Sequence, residues 1–347
     1  MFGRAKSITI RVFAKSDLGK ARDHNEDNFL VADLSRRDCT APVSEREYEL
    51  GDRGLLLMVA DGMGGAAAGE LASEMATDTV YKELLSSWLR EQEATGQRFA
   101  LRLKEAVETA NQQIHDYAKA HPENRGMGTT ATAVGILGDH LYLTQVGDSR
   151  AYLVREGAAH QLTKDQSLMQ RLVEAGELTE EEAAQSERRN IILQALGPDA
   201  RVKVDLTHQE IRRGDTVVLC SDGLSGQVKK EEIARLVSET RDLKAVCDRL
   251  VALANERGGP DNITVVVARL DGDGLRAAAS AEEVGHQVFP LIDTEASTDP
   301  VPVYRGSKPP VPAAQQSPDL RWKLLLLLIG AALLVAAMVW KRSTATP

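Results

Sequence analysis

"GLLLMVADGMGGAAAGE", residues 54–70, decides how this chain is read. Its first half is an apolar run, Leu55 to Ala60, of the length of a strand buried on both faces. Its second half is a single acid, Asp61, followed by Gly62, Gly64, Gly65 and Gly69 among alanines. Over Ala67–Leu89 the apolar residues then recur three and four apart, which predicts a helix packed on one side. A buried strand thus delivers one carboxylate to a glycine-rich turn ahead of a long helix.

The same placement recurs along the chain. Thr216–Ser221 runs into Asp222-Gly223, and Gly258-Gly259-Pro260 leads to Asp261-Asn262 just ahead of Ile263–Leu270. Asp148 follows the strand-like His140–Val146 in "VGDSR", and Glu26-Asp27 sits in "ARDHNEDNF". A single Asp-Gly is ordinarily a turn, bonding its own backbone two residues on. Repeated acids at strand ends are a different matter, because clustered carboxylates repel and a divalent cation is the natural compensation. With oxygen ligands and no His or Cys among them, the set suits hard ions such as Mg²⁺ or Mn²⁺. The neighbouring glycines are expected to let carbonyls and water approach the ion where a Cβ would block them.

Further strands are predicted at Gly54–Ala60, Thr130–Leu137, Ala151–Arg155 and Thr216–Ser221, and further helices at Phe99–Ala120, Lys229–Ser238 and Leu243–Glu256. The two-residue turn at Gly138-Asp139 makes part of the sheet antiparallel. Two long helices in succession and then several hairpin-linked strands argue for segregated layers, so the class is α+β. Residues 164–190 are polar, with helical spacing between strand-like regions, and read as an inserted flap.

With 347 residues and 43% apolar content the chain can bury a large core, and its net charge of −9 argues against nucleic acid as a partner. Cys39, Cys220 and Cys247 are far apart and fit a reducing compartment, with neither a disulfide framework nor a zinc site. The N-terminal segment shows no apolar block long enough for a signal peptide, so the domain is expected to be cytoplasmic. Residues 273–320 hold seven of the twelve prolines and are expected to form a flexible linker. Leu324–Trp340 carries no charge and is flanked by Arg321, Trp322, Lys323, Lys341 and Arg342. It is expected to be a membrane-spanning helix, with 341–347 as a short tail and the catalytic part facing the cytoplasm.

Seven motifs in order, "GKARDHNEDNF", "VADGMGGAAAGE", "GTTATAV", "VGDSRAYL", "LTKDQS", "LCSDGL" and "GGPDNITVVV", give residues 8–272 a close resemblance to the PPM family of metal-dependent serine/threonine protein phosphatases, the 2C type. The resemblance implies a four-layer α-β-β-α sandwich with two central, mainly antiparallel sheets. It implies two divalent metal ions, Mn²⁺ or Mg²⁺: Asp61 bridging both, the Gly62 carbonyl helping to hold one, Asp222 and Asp261 holding the other, and Asp27 acting mainly through water. Asp148 matches the acid that, with Asp222, holds a third ion in bacterial relatives. Arg22 takes the place of the phosphate-binding arginine, and Asn262 stands behind the ligands. Its substrates are then phosphoserine and phosphothreonine proteins, with a kinase acting on the same proteins as the expected counterpart.

Many family members have His directly after the Asp-Gly as a leaving-group acid, where this chain has Met63, which donates no proton. His24 reads as a turn residue. Cysteine-based phosphate chemistry is disfavoured, because Glu45, Gly226 and Leu253 stand where a C-x₅-R loop needs its arginine. The competing readings are a catalytically silent phosphoprotein-binding scaffold, which has no need for Asp61, Asp222 and Asp261 together, and a nucleotide-binding loop, which lacks the Lys-Ser/Thr of a P-loop.

Overall fold

The computed structural model describes residues 7–39, 44–278 and 283–291. The strands are β1 (Thr9–Asp17), β2 (Asp27–Asp33), β3 (Asp38–Cys39), β4 (Arg46–Glu49), β5 (Leu55–Met63), β6 (Gly128–Thr129), β7 (Ala131–Leu137), β8 (His140–Val146), β9 (Arg150–Arg155), β10 (Ala158–Gln161), β11 (Asp205–Glu210), β12 (Thr216–Cys220) and β13 (Ile263–Asp271). The helices are α1 (Ala66–Ser86), α2 (Gly96–Ala120), α3 (Leu168–Glu174), α4 (Glu180–Gln185), α5 (Asp222–Ser225), α6 (Lys230–Glu239) and α7 (Leu243–Glu256). One sheet has the order β10-β9-β12-β13-β1-β4, and the other β11-β8-β7-β5-β2-β3 with β6 beside β5.

Strand alternation builds the layers. Leu55, Leu57 and Val59 of β5 pack in the core between the sheets with Leu153, Leu219 and Val266, whereas Leu56, Met58 and Ala60 face α1 and α2. On the other side Val218, Cys220, Val265 and Val267 pack under α6 and α7. Both faces of each central strand are therefore buried, which is why "LLLMVA" and "ITVVV" are continuous apolar runs. The result is helices, sheet, sheet, helices, with antiparallel pairing throughout the named strands.

Register brings the acids to one end of the sandwich. Asp27 stands opposite Asp61 across β2 and β5. Cys220 opposite Val265 sets the end of β12 beside the start of β13, so Asp222 and Asp261 leave the sheet together. Ala131 opposite Val146 puts Thr130 next to the turn that carries Asp148.

Two expectations are modified. Strand β5 does not stop at Ala60 but runs through Asp61 to Met63, because Gly62 and Met63 pair with Thr129 and Gly128. The segment expected to be flexible from 273 instead begins with residues held against the domain. Leu275 is buried, the His208 amide donates to the Gln287 carbonyl and the Phe289 amide to the Leu206 carbonyl, and the Phe289 ring meets Tyr142 and His208 edge-on. Apolar anchors at Leu275 and Phe289 override the proline-rich composition around them. Among the described residues no helix is long and apolar enough to cross a membrane. The expected span at 324–340 and the linker from 292 onward lie outside the described residues.

Candidate metal centre and active site

Each strand end contributes one carboxylate, and polar side chains behind them fix the backbone. The Asp61 amide donates to Thr130 Oγ1 at 2.9 Å, and its carbonyl accepts from the Thr130 amide at 2.9 Å and from Thr129 Oγ1 at 3.0 Å. Ser221 Oγ donates to Asp27 Oδ2 at 2.7 Å, tying β2 of one sheet to the end of β12 in the other. Asn262 is a three-way staple: its Oδ1 accepts from the Glu26 amide at 2.8 Å, and its Nδ2 donates to the carbonyls of Leu18 and His24. The loop bearing Arg22 is thereby held at the start of β13. Arg22 Nη2 reaches Asp261 Oδ2 at 2.7 Å with half its side chain still exposed.

The acids are in electrostatic trouble. Asp27 Oδ1, Asp148 Oδ1 and Asp222 Oδ1 are buried and accept no hydrogen bond from the described residues. Burial, opposed in part by hydrogen bonds from Ser221 and Thr264, pushes Asp27 up to about 7, with Asp222 and Asp261 adding to the rise. Burial first, and then Asp222 and Asp165, push Asp148 up to about 8. Asp61 is driven well above the usual carboxylate range by burial, with Asp27, Asp222, Asp148 and Asp261 all contributing. Asp222 is raised by burial and by Asp261, and is relieved only in part by a hydrogen bond with Asp61. Orphaned, buried, mutually repelling carboxylate oxygens are what a hard divalent ion satisfies, so the donor set fits such ions. Among the described residues no three His, Cys, Asp or Glu side chains already close on a single point. The carboxylates are gathered, and ions would complete their arrangement.

Two glycines of the opening stretch stand where neighbouring segments approach closely. A Cβ at Gly62 would stand 2.2 Å from the Gly69 carbonyl oxygen and 2.6 Å from that of Glu26. One at Gly69 would stand 2.0 Å from Glu26 Oε2. Gly62 is thus required by the close approach of β5 to the backbone at the start of α1 and of the Glu26 loop, whereas a side chain at Gly69 would first displace the Glu26 carboxylate. A separate depression of about 530 Å³ on the outer surface between α1 and α2, lined by side chains such as Glu83, Arg102 and Glu105, plays no part in this cluster.

The sequence profile of the protein phosphatase 2C family matches residues 32–266. The chain belongs to this family. The serine/threonine phosphatase stp of Listeria monocytogenes is 36% identical over 259 residues, spanning 74% of this chain and 94% of that protein. The Mycobacterium tuberculosis serine/threonine phosphatase PstP/Ppp crystal structure superposes with a TM-score of 0.63 at 38% identity, covering 76% of this chain and 99% of that one. A PstP catalytic domain solved in complex with two manganese ions superposes with a TM-score of 0.60 at 36% identity, again over 76% and 99%.

In this protein phosphatase 2C chain the structure gathers Asp27, Asp61, Asp148, Asp222 and Asp261 at one end of the sandwich, with Gly62 in the same strand as Asp61 and Arg22 bonded to Asp261. His24 lies on the exposed loop. Thr130, Ser149, Ser221 and Thr264, the residues that hold those acids, are singled out by no local sequence signal. Their hydroxyls act across 19 to 248 residues of chain, as in Thr130 to Ser149 and Ser16 to Thr264.

Proposed function

We infer that the chain is a metal-dependent protein serine/threonine phosphatase, and the observation that carries the reading is the buried acid cluster with its orphaned oxygens. Asp27, Asp61, the Gly62 carbonyl, Asp222 and Asp261 would hold two divalent ions, Mn²⁺ or Mg²⁺, and Asp148 with Asp222 a third. Such ions supply a nucleophile at neutral pH and neutralise charge on the phosphoryl oxygens. The rest falls to the chain. Arg22, half-exposed at the rim, would exchange its bond to Asp261 for one to the phosphoryl group and fix the substrate's position. Ser221 and Asn262 keep Asp27 and the Arg22 loop in place. Met63 has no proton to give, so the histidine's acid role is not filled at this position.

The short acidic helix α4 lies largely exposed, and α3 shows Arg171 and Glu174 at the surface, which supports a role for the flap in choosing phosphoproteins. A serine/threonine kinase acting on the same proteins is the expected counterpart. The uncharged stretch Leu324–Trp340, bracketed by Trp322 and basic residues, supports a membrane tether. The unpaired Cys39, Cys220 and Cys247 support a catalytic domain on the cytoplasmic side.

The test is turnover of a phosphothreonine peptide by the full chain with Mn²⁺, Mg²⁺ or chelator. Activity that survives complete metal removal, or none under any condition, would overturn the reading and favour the silent scaffold. For the tether, cells expressing the full chain and a form ending at residue 320 are fractionated. A full chain that stays in the soluble fraction removes it.

A further inference from the structure

Asp148 lies between Gly147 and Arg150, which are held, in reverse order, by two consecutive residues of the flap root. On one side the Gly147 carbonyl accepts from the Gln166 amide at 2.9 Å, while the Gly147 amide donates to Gln166 Oε1 at 3.0 Å. On the other side Arg150 grips Asp165 through Nε and Nη2, at 3.0 and 2.7 Å. Gln166 has a second engagement: its Nε2 donates to Asp205 Oδ2 at 2.9 Å, on β11. Its carbonyl accepts from the Leu193 amide at 2.7 Å, where the chain returns from the flap. Every polar group of this one side chain and its peptide is thus used to join the entry of the flap, its exit, the edge strand and the Asp148 turn. The turn packs closely on Thr130: Gly147 has a φ of +97° and a Cβ there would meet Thr130 Cγ2 at 2.6 Å. Thr130 in turn bonds both Ser149 and the Asp61 amide.

We propose that Gln166 is a positioning residue for Asp148, a clasp through which the flap root and the acid turn move as one body. Its bonds go to Asp205 and to backbone groups and not to the oxygens of Asp27, Asp61, Asp148, Asp222 or Asp261, and it acts by holding Gly147. The proposal rests on the phosphatase reading above, and turnover by the unaltered protein in the same assay separates failure of that reading from failure of this one.

The experiment is a double-mutant cycle on the full chain with Gln166→Ala and Asp148→Asn, read by kcat, KM and the rate of tryptic cleavage at Arg188 and Arg189 in the flap without added metal. Gln166→Ala is expected to lower kcat about tenfold, the scale seen when residues behind metal ligands are removed. It should leave KM within about twofold and speed flap cleavage severalfold. The double variant should be no worse than Asp148→Asn alone, because residues acting as one unit are not additive. Multiplicative losses, unchanged cleavage, or a Gln166→Ala enzyme of full kcat would each overturn the proposal. If Gln166→Ala fails to fold, Gln166→Glu and Gln166→Glu/Asp205→Asn decide it. Glutamate keeps the acceptor for the Gly147 amide but faces the Asp205 carboxylate, and asparagine at 205 restores a donor. Recovery of kcat and of flap protection in the pair is expected, and no recovery sinks the clasp.

Discussion

Strand β12 has a buried acid at each end, and the two are treated in opposite ways. At its start, Asp215 is 1% exposed and fully engaged: Arg155 bonds it through Nε at 3.0 Å and Nη2 at 2.6 Å, and the Arg212 amide donates to it at 2.7 Å. At its other end Asp222 has an oxygen with no donor and is surrounded by Asp61, Asp148 and Asp261. The arginines that ease it, Arg150 and Arg22, are bonded to Asp165 and Asp261. A chain able to neutralise one buried aspartate so completely leaves the other, five residues of strand away, for something it does not itself supply. The contrast separates an acid that holds the fold from one held by it.

Exchanging each acid for its amide should break that symmetry furthest. Asp222→Asn is expected to lower metal-dependent kcat on the order of a thousandfold, as when a charge-stabilising group leaves a reacting centre. It should cost the metal-free fold nothing, since it removes repulsion. Asp215→Asn should do the reverse. It takes the carboxylate charge out of the buried Arg155–Asp215 pair, and breaking such a pair costs roughly 3–5 kcal/mol, while kcat per folded molecule should be unchanged. Denaturant melts paired with rates normalised to folded protein decide the matter. Loss of stability at 222 together with loss of kcat at 215 would erase the distinction.

At the rim, Arg22→Ala should raise KM for a phosphopeptide about tenfold, with kcat within a fewfold, because a grip held equally in ground and transition state contributes uniform binding. A loss confined to kcat would make Arg22 part of the reacting centre.

The acid end should also show in the pH dependence of the metal-stripped protein. Asp27 and Asp148 hold protons up to about 7 and about 8 in the fold, against about 4 in an unfolded chain. The native state therefore binds more protons than the unfolded state across that window, and stability from these groups falls as pH rises from 4 through 8. The stripped protein is expected to melt higher at pH 6 than at pH 8, and Asp148→Asn to flatten the slope. Saturating Mn²⁺ should reverse it, since metal competes with protons for the same oxygens. A stripped protein that gains stability toward pH 8 contradicts the crowding.

What could be read in the sequence follows the same division. Asp61, Asp222 and Asp261 stood out because each sits at one end of an apolar run beside or close to glycine, a pattern contained within a few residues. The central strands β5, β7, β12 and β13 and the helices α1, α2, α6 and α7 announced themselves by unbroken or three-and-four apolar spacing. Strands β2 and β11 did not: "DNFLVAD" is acid at both ends, and "DLTHQE" places polar residues on a sheet edge. Ser221 and Gln166 were illegible for another reason. Their importance lies in whom they meet after folding, and a serine beside an aspartate predicts nothing about an aspartate 194 residues away.

The smallest effect is expected farthest from the acids, where the chain beyond the family match lies along β11. Val288 bridges Thr207, Gln97 Nε2 donates to the Pro290 carbonyl at 2.9 Å, and Phe289 stacks edge-on with Tyr142 at a centroid separation of 5.4 Å. The paired backbone covers part of a sheet edge that would otherwise offer free amides and carbonyls to another chain. Phe289 is only partly buried, so Phe289→Ala removes an edge aromatic contact and some apolar area, worth about 1 kcal/mol together. Nothing in that strip touches Asp27, Asp61 or Asp222. The Tm should therefore fall by a few degrees while kcat and KM stay as they were, and light scattering of the variant should rise with concentration as the β11 edge is freed. A Phe289→Ala enzyme whose kcat falls as its Tm does would mean that this strip reaches the acid end after all, through β11 and the Asp205–Gln166 bond.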